Sequence, residues 1–342
     1  MTVRVPIAIV TLLFCLWGCS QGSSAVPSGA AQMGTAHFAG NPLALPTIQY
    51  FNTPSTGSWP ENIVRGPQHA LWFTEEFTSK IGRIASDGKM TEFSDGGQEP
   101  EGITEGADGN LWFTEPGANA IGRMTPTGTV TIFPIVGQDP DPRGITLGPD
   151  GNVWYTEYTD GYIGRVTPQG KITRFALSGY LPSPWDITAG PNGDLWFTES
   201  FANVIGRFDP RTLRFKSSLN VPTGESTPWG ILFAPDKHIW FTERTGNKIA
   251  EVDGETIHEH KIAQPGSYPE KLAPGSDGDL WFPESQAGDL GHIDPVTGKF
   301  GPVIVLPSGD IPEGIANGFN RNVFFTIASY HNPDQIGEVM LR

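Results

Sequence analysis

A pentapeptide of three apolar residues followed by threonine and glutamate recurs along the chain, first as LWFTE at residues 71–75. Its aromatic second position falls at seven places, which are Trp72, Trp112, Trp154, Trp196, Trp240, Trp281 and Phe324. The apolar residues are consecutive rather than alternating, as is typical of a strand that is buried on both faces. The pattern therefore predicts seven buried β-strands.

The spacing of the copies ranges from 40 residues (72 to 112) to 44 residues (196 to 240), which matches one propeller blade of four strands. Between copies, GIT at 102–104 predicts an inner strand and GADGN a tight turn. AIGRM at 120–124 predicts a third strand, and TVTIFPI at 129–135 predicts an outer one. The sequence therefore predicts an all-β fold, a seven-bladed β-propeller of four-stranded antiparallel blades, over residues 47–342.

The two ends of the predicted ring complement each other. The last unit ends with IGEVMLR, so it contains a third strand and no fourth, whereas TIQYFNTP at 47–54 is an outer strand without its blade. We expect this N-terminal strand to pair with the last blade and close the ring, which leaves no free sheet edge. Glycines recur on the inner strands, where backbones approach closely at the axis; they are Gly102, Gly144, Gly230 and Gly314.

Composition and charge narrow the function classes. The 342 residues include 43 glycines and 31 prolines, which favours a turn-rich globular chain. The formal charge of -15 argues against a nucleic-acid partner, because phosphate binding needs clustered basic residues. Cys15 and Cys19 are the only cysteines, so the predicted propeller has neither a disulfide nor a thiolate metal site.

The N-terminus has the pattern of an export signal. Arg4 precedes an apolar run that is too short to span a bilayer, which predicts a signal peptide at 1–18. Leu16 to Cys19 resembles a bacterial lipobox, so we expect lipidation of Cys19 and a flexible tether at 19–46; ordinary cleavage after Ala25 is the alternative. The protein is then a monomer in the bacterial envelope or periplasm, held to the membrane only by its lipid.

Candidate ligand-binding residues follow the proline at the start of each inner strand, where the repeat varies. We expect these seven side chains to meet at the channel mouth: Glu61, Glu101, Arg143, Trp185, Trp229, Glu270 and Glu313. The indoles could stack on a ring or peptide, and the crowded carboxylates should have raised pKa values or share a cation such as calcium or magnesium. The alternative is a polar, water-filled mouth that binds nothing specific.

Other polar residues are assigned structural or surface positions. The glutamates that end the pentapeptides are predicted to make one repeated contact with the arginines of the IGR motif; they are Glu75, Glu115, Glu157, Glu199, Glu243 and Glu284, with Arg83, Arg123, Arg165 and Arg207 as partners. The histidines are weaker candidates than the rim residues. We expect surface positions for His69, His238, His258, His260 and His292, and a loop position for His331.

The alternation of GIT, GPDGNLWFTE, IGR and TP over residues 47–342 resembles the streptogramin B lyases, also called virginiamycin B lyases. The resemblance implies a seven-bladed fold and an activity that opens a cyclic antibiotic at its ester bond by elimination, with a histidine base and magnesium. In that family, the inner strands of the last two blades begin with Pro-His. Acidic metal ligands stand just before the final Pro-His and just past the last aromatic motif.

This chain departs from the family pattern at all four positions. Glu270 and Glu313 replace the histidines, and Ile311 and Ala328 replace the acidic ligands. We therefore predict the lyase scaffold without its mechanism, as an exported binding module for a peptide, glycan or cell-wall fragment. One alternative is a magnesium-dependent carbon–oxygen lyase with a rearranged site, in which Glu313 is the catalytic base and Glu270 or Glu284 helps to hold the metal. The other is a scaffold for protein interactions in the envelope.

Overall fold

A computed structural model describes residues 46–179, 182–330 and 333–341, and within them the chain forms seven antiparallel sheets. The predicted all-β, seven-bladed propeller is confirmed, with the inner, second, third and outer strands in chain order in every blade except the seventh, whose outer strand is the N-terminal one. The predicted signal peptide, most of the tether with Cys19, and His331 lie outside the described residues. No helix within the described ranges is long and apolar enough to cross a membrane.

The first four blades follow an N-terminal strand. That strand is β1 (Thr47–Asn52). Blade one contains β2 (Pro60–Gly66), β3 (Ala70–Glu75), β4 (Lys80–Ile84) and β5 (Met90–Ser94), and blade two contains β6 (Ile103–Glu105), β7 (Leu111–Glu115), β8 (Ala120–Met124) and β9 (Val130–Pro134). Blade three contains β10 (Pro142–Leu147), β11 (Val153–Glu157), β12 (Tyr162–Val166) and β13 (Ile172–Ala176), and blade four contains β14 (Pro184–Ala189), β15 (Leu195–Glu199), β16 (Val204–Asp209), β17 (Arg214–Phe215) and β18 (Leu219–Asn220).

The remaining three blades repeat this order. Their strands are β19 (Pro228–Phe233), β20 (Ile239–Glu243), β21 (Lys248–Asp253) and β22 (Thr256–Lys261) in blade five; β23 (Ala273–Pro274), β24 (Leu280–Glu284), β25 (Asp289–Asp294), β26 (Lys299–Phe300) and β27 (Ile304–Val305) in blade six; and β28 (Asp310–Asn317), β29 (Val323–Ser329) and β30 (Gln335–Met340) in blade seven. Short 3-10 helices occupy Pro67–His69, Pro116–Ala118, Pro191–Gly193 and Phe319–Arg321. Strand β1 pairs antiparallel with β30 from Thr47 to Asn52 and so provides the outer strand of blade seven.

The repeated pentapeptide forms the buried second strand of each blade, as predicted. Trp72 is fully buried and packs in one cluster with Leu111 and Phe113 of the next blade, and equivalent clusters lie at the other boundaries. Burying an aromatic side chain of this size contributes several times the stabilisation of one methylene, on the order of 2–3 kcal/mol. Each blade is therefore held chiefly by the face of its neighbour.

The predicted pairing of pentapeptide glutamates with IGR arginines is wrong. Arg83 is the cross-strand partner of Trp72, and its guanidinium lies 5.7 Å from the centre of the indole. Glu75 lies three residues beyond Trp72 and is opposite Lys80 instead. Arg123, Arg165 and Arg207 cover the tryptophans of their own blades in the same way. The arginines therefore serve cation–π contacts. Among the pentapeptide glutamates, and within the described part of the chain, Glu157 alone forms an ion pair with an arginine, which is Arg174 of the outer strand.

Inner-strand glycines allow close approach between blades, as predicted. A Cβ atom on Gly144 would lie 2.6 Å from Cα of Asp186 in the next blade, and one on Gly102 would lie 2.4 Å from the carbonyl oxygen of Arg143. Gly230 and Gly314 meet the backbone of Glu270 and Glu61 in the same way. Gly314 and Glu61 belong to blades seven and one, so the contact also continues across the ends of the chain.

Candidate functional site

The inner strands start at the channel mouth, and a β-bulge follows the proline in five of them. The register shifts come after Pro60, Pro142, Pro184, Pro228 and Pro312. A bulge redirects side chains locally. At the bulge, the hydroxyl group of the second strand's threonine accepts a hydrogen bond from the inner strand and donates one to the inner strand of the next blade. Thr74, for example, accepts from the amide of Asn62 and donates to the carbonyl of Glu101. Successive post-proline residues are thereby placed side by side.

Arg143 joins two of the predicted rim residues. Its Nη1 lies 2.5 Å from Oε2 of Glu101 and its Nη2 lies 2.8 Å from Oδ1 of Asp141. Its guanidinium carbon also lies 5.1 Å from the ring centre of Trp185. The carboxylate of Glu101 is therefore neutralised by one side chain that also covers one face of an indole.

Trp185 and Trp229 stack on each other instead of standing apart. Their ring centres are 3.6 Å apart with an angle of 24° between the planes. The outer face of Trp229 lies under Arg244, whose guanidinium carbon is 4.5 Å from the ring centre. The faces of both indoles are therefore covered by each other and by Arg143 and Arg244, and their edges are the parts left to contact a ligand.

Glu270 is buried and engaged by two hydrogen-bond donors. Arg244 Nε donates to its Oε1 at 2.8 Å, and Ser285 Oγ donates to the same oxygen at 2.6 Å. The next residue, Lys271, forms an ion pair with Asp186 across two blades at 2.9 Å. These contacts fix the part of the rim formed by blades four to six.

Glu61 and Glu313 differ from the other rim carboxylates. Among the described residues, neither forms an ion pair with a lysine or arginine. Burial raises the pKa of Glu61 to about 8, and the carboxylates of Glu101 and Glu76 contribute to this rise. Burial also raises the pKa of Glu313 well above its usual value, and Glu61 adds to the effect. The raised pKa values favour the protonated form of both carboxyl groups, which in that form can donate as well as accept hydrogen bonds.

An aromatic group lies on loops of the two blades that carry Glu61 and Glu313. Trp59 stacks on Phe77 with ring centres 5.2 Å apart and meets Tyr330 at 5.3 Å. Phe77 is 63% exposed and Tyr330 is 73% exposed. Trp59 has a left-handed backbone (φ 51°), and so have the residues before the corresponding prolines of blades two to six, so this conformation belongs to the repeated turn; they are Glu99, Asp141, Ser183, Thr227 and Tyr268.

A cleft of about 520 Å³ opens between blades six and seven on this face. Ser285, which touches Glu270, lies at one side of it, and Tyr330 and Ile311 lie at the other. The rim, the aromatic group and the cleft are thus continuous. We call this surface, defined by Glu61, Glu313, Trp59, Tyr330 and the cleft, the mouth site.

Several residues of the mouth site were not predicted from the sequence, although the repeat contained the signal. The residue directly after each pentapeptide also varies and reaches the mouth; in blades one, three, five and six it is Glu76, Tyr158, Arg244 and Ser285. The second residue after each proline supplies Asn62, Asp186 and Lys271. Trp59 could have been found as the residue directly before the proline of its loop.

Ile311 and Ala328 were predicted to replace acidic metal ligands of the resembled family. The structure makes them direct cross-strand partners on β28 and β29, beside the mouth. Neither side chain can bind a metal ion. Of the predicted rim carboxylates, Glu61 and Glu313 remain the pair that a cation could approach without displacing an arginine partner.

Comparisons with known proteins agree with this architecture. Virginiamycin B lyase from Staphylococcus aureus, solved as a catalytically inactive histidine-to-alanine variant with quinupristin, is 32% identical over 86% of this chain and 99% of its own, with a TM-score of 0.80. A streptogramin B lyase structure is 30% identical over 89% of this chain and 100% of its own, with a TM-score of 0.82. Hydrazine synthase from Kuenenia stuttgartiensis, at 15% identity, 84% and 97% coverage and a TM-score of 0.68, shares the fold alone.

The comparison with curated proteins gave no match. A sequence profile of the virginiamycin B lyase family matches residues 35–215 and 212–341, which is most of the chain. Together with the seven four-stranded blades, this match gives the assignment: the chain belongs to the virginiamycin B lyase family.

Proposed function

We propose that this propeller binds a peptide, glycan or cell-wall fragment at the mouth site and does not carry out the family's elimination. The observation that carries the proposal is the state of Glu270, which stands at one predicted histidine position. Arg244 and Ser285 both donate to its Oε1, so this oxygen is already held by two donors. Both lone pairs of Oε1 are thereby occupied, and the positive charge of Arg244 beside the carboxylate repels a cation, so Oε1 is not available to a magnesium ion.

The other predicted family positions support the same conclusion. Ile311 and Ala328 offer no ligand atom, and the nearby Arg244 and Lys271 bring positive charge to the mouth. The residues present therefore do not fit the magnesium ion that the resemblance implies, and we assign no step to one. Binding of a peptide or glycan requires neither a metal ion nor acidic metal ligands at these positions.

The mouth site has the features of a recognition surface. Exposed Phe77 and Tyr330 offer apolar contact area for a ring, and the Glu61–Glu313 pair offers hydrogen bonds at the end of it. The cleft beside Tyr330 extends the area available to a ligand. Such a surface fits a cyclic or linear peptide, or a sugar ring, better than a small ion.

Binding and turnover are measured together on the same samples. Quinupristin and a purified peptidoglycan fragment are titrated by calorimetry at pH 7, and the recovered ligand is analysed by mass spectrometry. We expect at least one of them to bind and to be recovered unchanged. Binding should weaken tenfold or more in Glu313→Leu, which cannot form hydrogen bonds, but should persist in Glu313→Gln, which resembles the protonated acid. Exposed Glu105 at the opposite end of β6 provides the control Glu105→Gln.

The lyase alternative predicts a different pattern. If Glu313 is a catalytic base, quinupristin is linearised by the wild type with magnesium, and Glu313→Gln abolishes turnover. Linearisation by the wild type contradicts the binding proposal. Failure of both ligands to bind the wild type also contradicts it.

Export and lipid anchoring are part of the proposal and rest on the sequence alone. The signal peptide at 1–18 and the lipobox at Cys19 favour an envelope location with the lipid as the only membrane contact. Mass spectrometry of the mature N-terminus distinguishes a lipidated Cys19 from cleavage after Ala25. An N-terminus that retains residues 1–18 would contradict both.

A further inference from the structure

Blade five departs from the other blades at several positions that share one face of its sheet. Where blades one to four have the IGR arginine on the third strand, blade five has Glu251, and the adjacent outer-strand position is His258 in place of a threonine. The turn before the second strand contains His238, where blades two and three have Asn110 and Asn152. These substitutions lie at the end of the blade opposite the mouth site.

The substituted side chains meet at one point. His238 Nδ1 lies 3.6 Å from Oδ2 of Asp236 and 3.7 Å from Oε2 of Glu251. One ligand atom from each of the three residues lies within 4.8 Å of the others. Glu251 and His258 are direct cross-strand partners, so a second imidazole stands at the edge of the same group.

Asp236 is fixed in place before any ligand arrives. Its Oδ2 accepts a hydrogen bond from Trp240 Nε1 at 2.8 Å, and its Oδ1 accepts one from the amide of His238 at 3.1 Å. Asp108 and Asp150 hold the tryptophans of blades two and three in the same way, so this aspartate belongs to the scaffold. A carboxylate held by outer hydrogen bonds is a pre-oriented ligand, since each oxygen has a second lone pair.

We propose that Asp236, His238 and Glu251 bind a divalent transition-metal ion such as Zn²⁺, with His258 able to complete the site. Imidazole with carboxylate ligands favours zinc and its neighbours over calcium or magnesium, which take oxygen ligands. Zinc bonds of about 2.0–2.2 Å place neighbouring ligand atoms of a tetrahedral site about 3.3–3.6 Å apart. The two distances from His238, 3.6 and 3.7 Å, are close to this range, and the oxygens of Asp236 and Glu251, which lie within 4.8 Å of each other, would adjust on binding.

Blade six also has two acidic residues and a histidine at these three positions, but they form a different arrangement. Asp277, the counterpart of Asp236, accepts a hydrogen bond from Trp281 Nε1 at 3.1 Å. His292 replaces the IGR arginine there, and its Nδ1 lies 2.6 Å from Oδ2 of Asp279, which makes a two-residue pair stacked on Trp281. Across the described residues, only the blade-five group brings three such ligand atoms together. The blade-five group thus differs from the histidine–aspartate pair of blade six in having three ligand atoms close enough to share one metal ion.

The test uses the full chain with a purification tag that contains no histidine. Zn²⁺ is titrated by calorimetry, and Co²⁺ is titrated by its visible absorption, which reports imidazole and carboxylate coordination. We expect one ion per chain at this site. Glu251→Arg and His238→Asn restore the residues that other blades have, so the fold should be kept; each should weaken binding at least tenfold.

The same titrations include a control variant that removes a histidine outside the proposed site. His69→Asn removes an exposed histidine from the matching turn of blade one and should leave affinity unchanged. A metal held elsewhere, for example by Cys15 and Cys19, would persist in Glu251→Arg. Binding that is unaffected by both blade-five variants, or absent from the wild type, overturns the proposal. Thermal unfolding of each variant without metal confirms that it is folded.

Discussion

Arginines in this propeller have two distinct roles that depend on their position in the repeat. Arg83 and its equivalents lie over a tryptophan within their own blade and stabilise the scaffold. Arg143 and Arg244 lie at the mouth, where each covers one indole of the Trp185–Trp229 pair and neutralises one glutamate. Charge and aromatic contact are combined in one side chain, which is typical of arginine and is not reproduced by lysine.

Gly144 tests the close approach of inner strands at the level of one residue. In Gly144→Ala the new Cβ would lie 2.6 Å from the Asp186 backbone, which has no flexible end that could move away. We expect the free energy of unfolding to fall by about 1–3 kcal/mol or more, as in other overpacked sites. Urea denaturation measures the change.

The matched control for this variant is Gly224→Ala. Gly224 lies in a loop, has no atom within 4 Å of the position that an added Cβ would take, and does not need a left-handed backbone. Its substitution should change the free energy of unfolding by less than about 0.5 kcal/mol. Equal effects of the two substitutions would contradict the close-approach argument.

At the scale of strands, the repeat made the fold predictable. Consecutive apolar residues identified the second strand, and the interval identified the blade, because each copy has to fill the same wedge between its neighbours. The incomplete last unit and the solitary strand at Thr47–Asn52 located the closure of the ring. These features depend on local pattern and spacing, which sequence records directly.

The site was only partly predictable, because it depends on contacts between blades. The prolines predicted seven rim positions, but the stacking of Trp185 on Trp229 could not be predicted from the residue types. The pairing of IGR arginines with glutamates was predicted wrongly, since both choices of partner are reasonable on charge alone and only the cross-strand register decides. The cluster of Asp236, His238 and Glu251 in blade five was not predicted either, because His238 was expected only as a surface residue.

Strand β1 offers a test at this scale. Ile48 is buried in a cluster with Trp281 and Val339, so it joins the N-terminal strand to blades six and seven. Ile48→Ala should lower the free energy of unfolding by about 2–5 kcal/mol because it leaves a cavity between them. Exposed Thr47 provides the control, since Thr47→Ala should change it by less than about 0.5 kcal/mol. Equal urea midpoints for Ile48→Ala and the wild type would show that β1 does not complete the ring.

At the scale of the whole molecule, a buried carboxyl group recurs at the same position in six of the seven blades. The pentapeptide glutamates end the second strands at the mouth side and are buried in every blade that has one. Burial raises the pKa of Glu115 to about 8 and those of Glu199 and Glu243 to about 7. No donor among the described residues reaches Oε1 of Glu115.

These raised values determine how stability depends on pH. A carboxyl group with a folded pKa above its usual 4.5 keeps its proton in the folded state while the unfolded chain releases it. Each such group therefore lowers the free energy of unfolding as pH rises from about 4.5 to about 8. Below this window the free energy of unfolding falls as pH falls. Glu92 and Glu259 are partly buried, but Lys80 and Lys248 outweigh this burial and hold the pKa values of both glutamates below the usual range. Protonation of the glutamates at low pH breaks these two ion pairs.

The propeller should thus be most stable near pH 5, and its melting temperature should fall by several degrees between pH 5 and pH 8.5. Glu115→Gln removes one buried titrating group, so we expect it to exceed the wild type in stability at pH 8.5, by on the order of 1–3 kcal/mol, and to differ little at pH 5. Exposed Glu105→Gln should follow the wild-type curve at both values. Calorimetric melting of the three proteins across this range gives the comparison. A melting temperature that rises between pH 5 and pH 8.5 would mean that these glutamates are ionised in the folded ring, and the hydrogen-bonding role proposed for protonated Glu61 and Glu313 would then lose its physical basis.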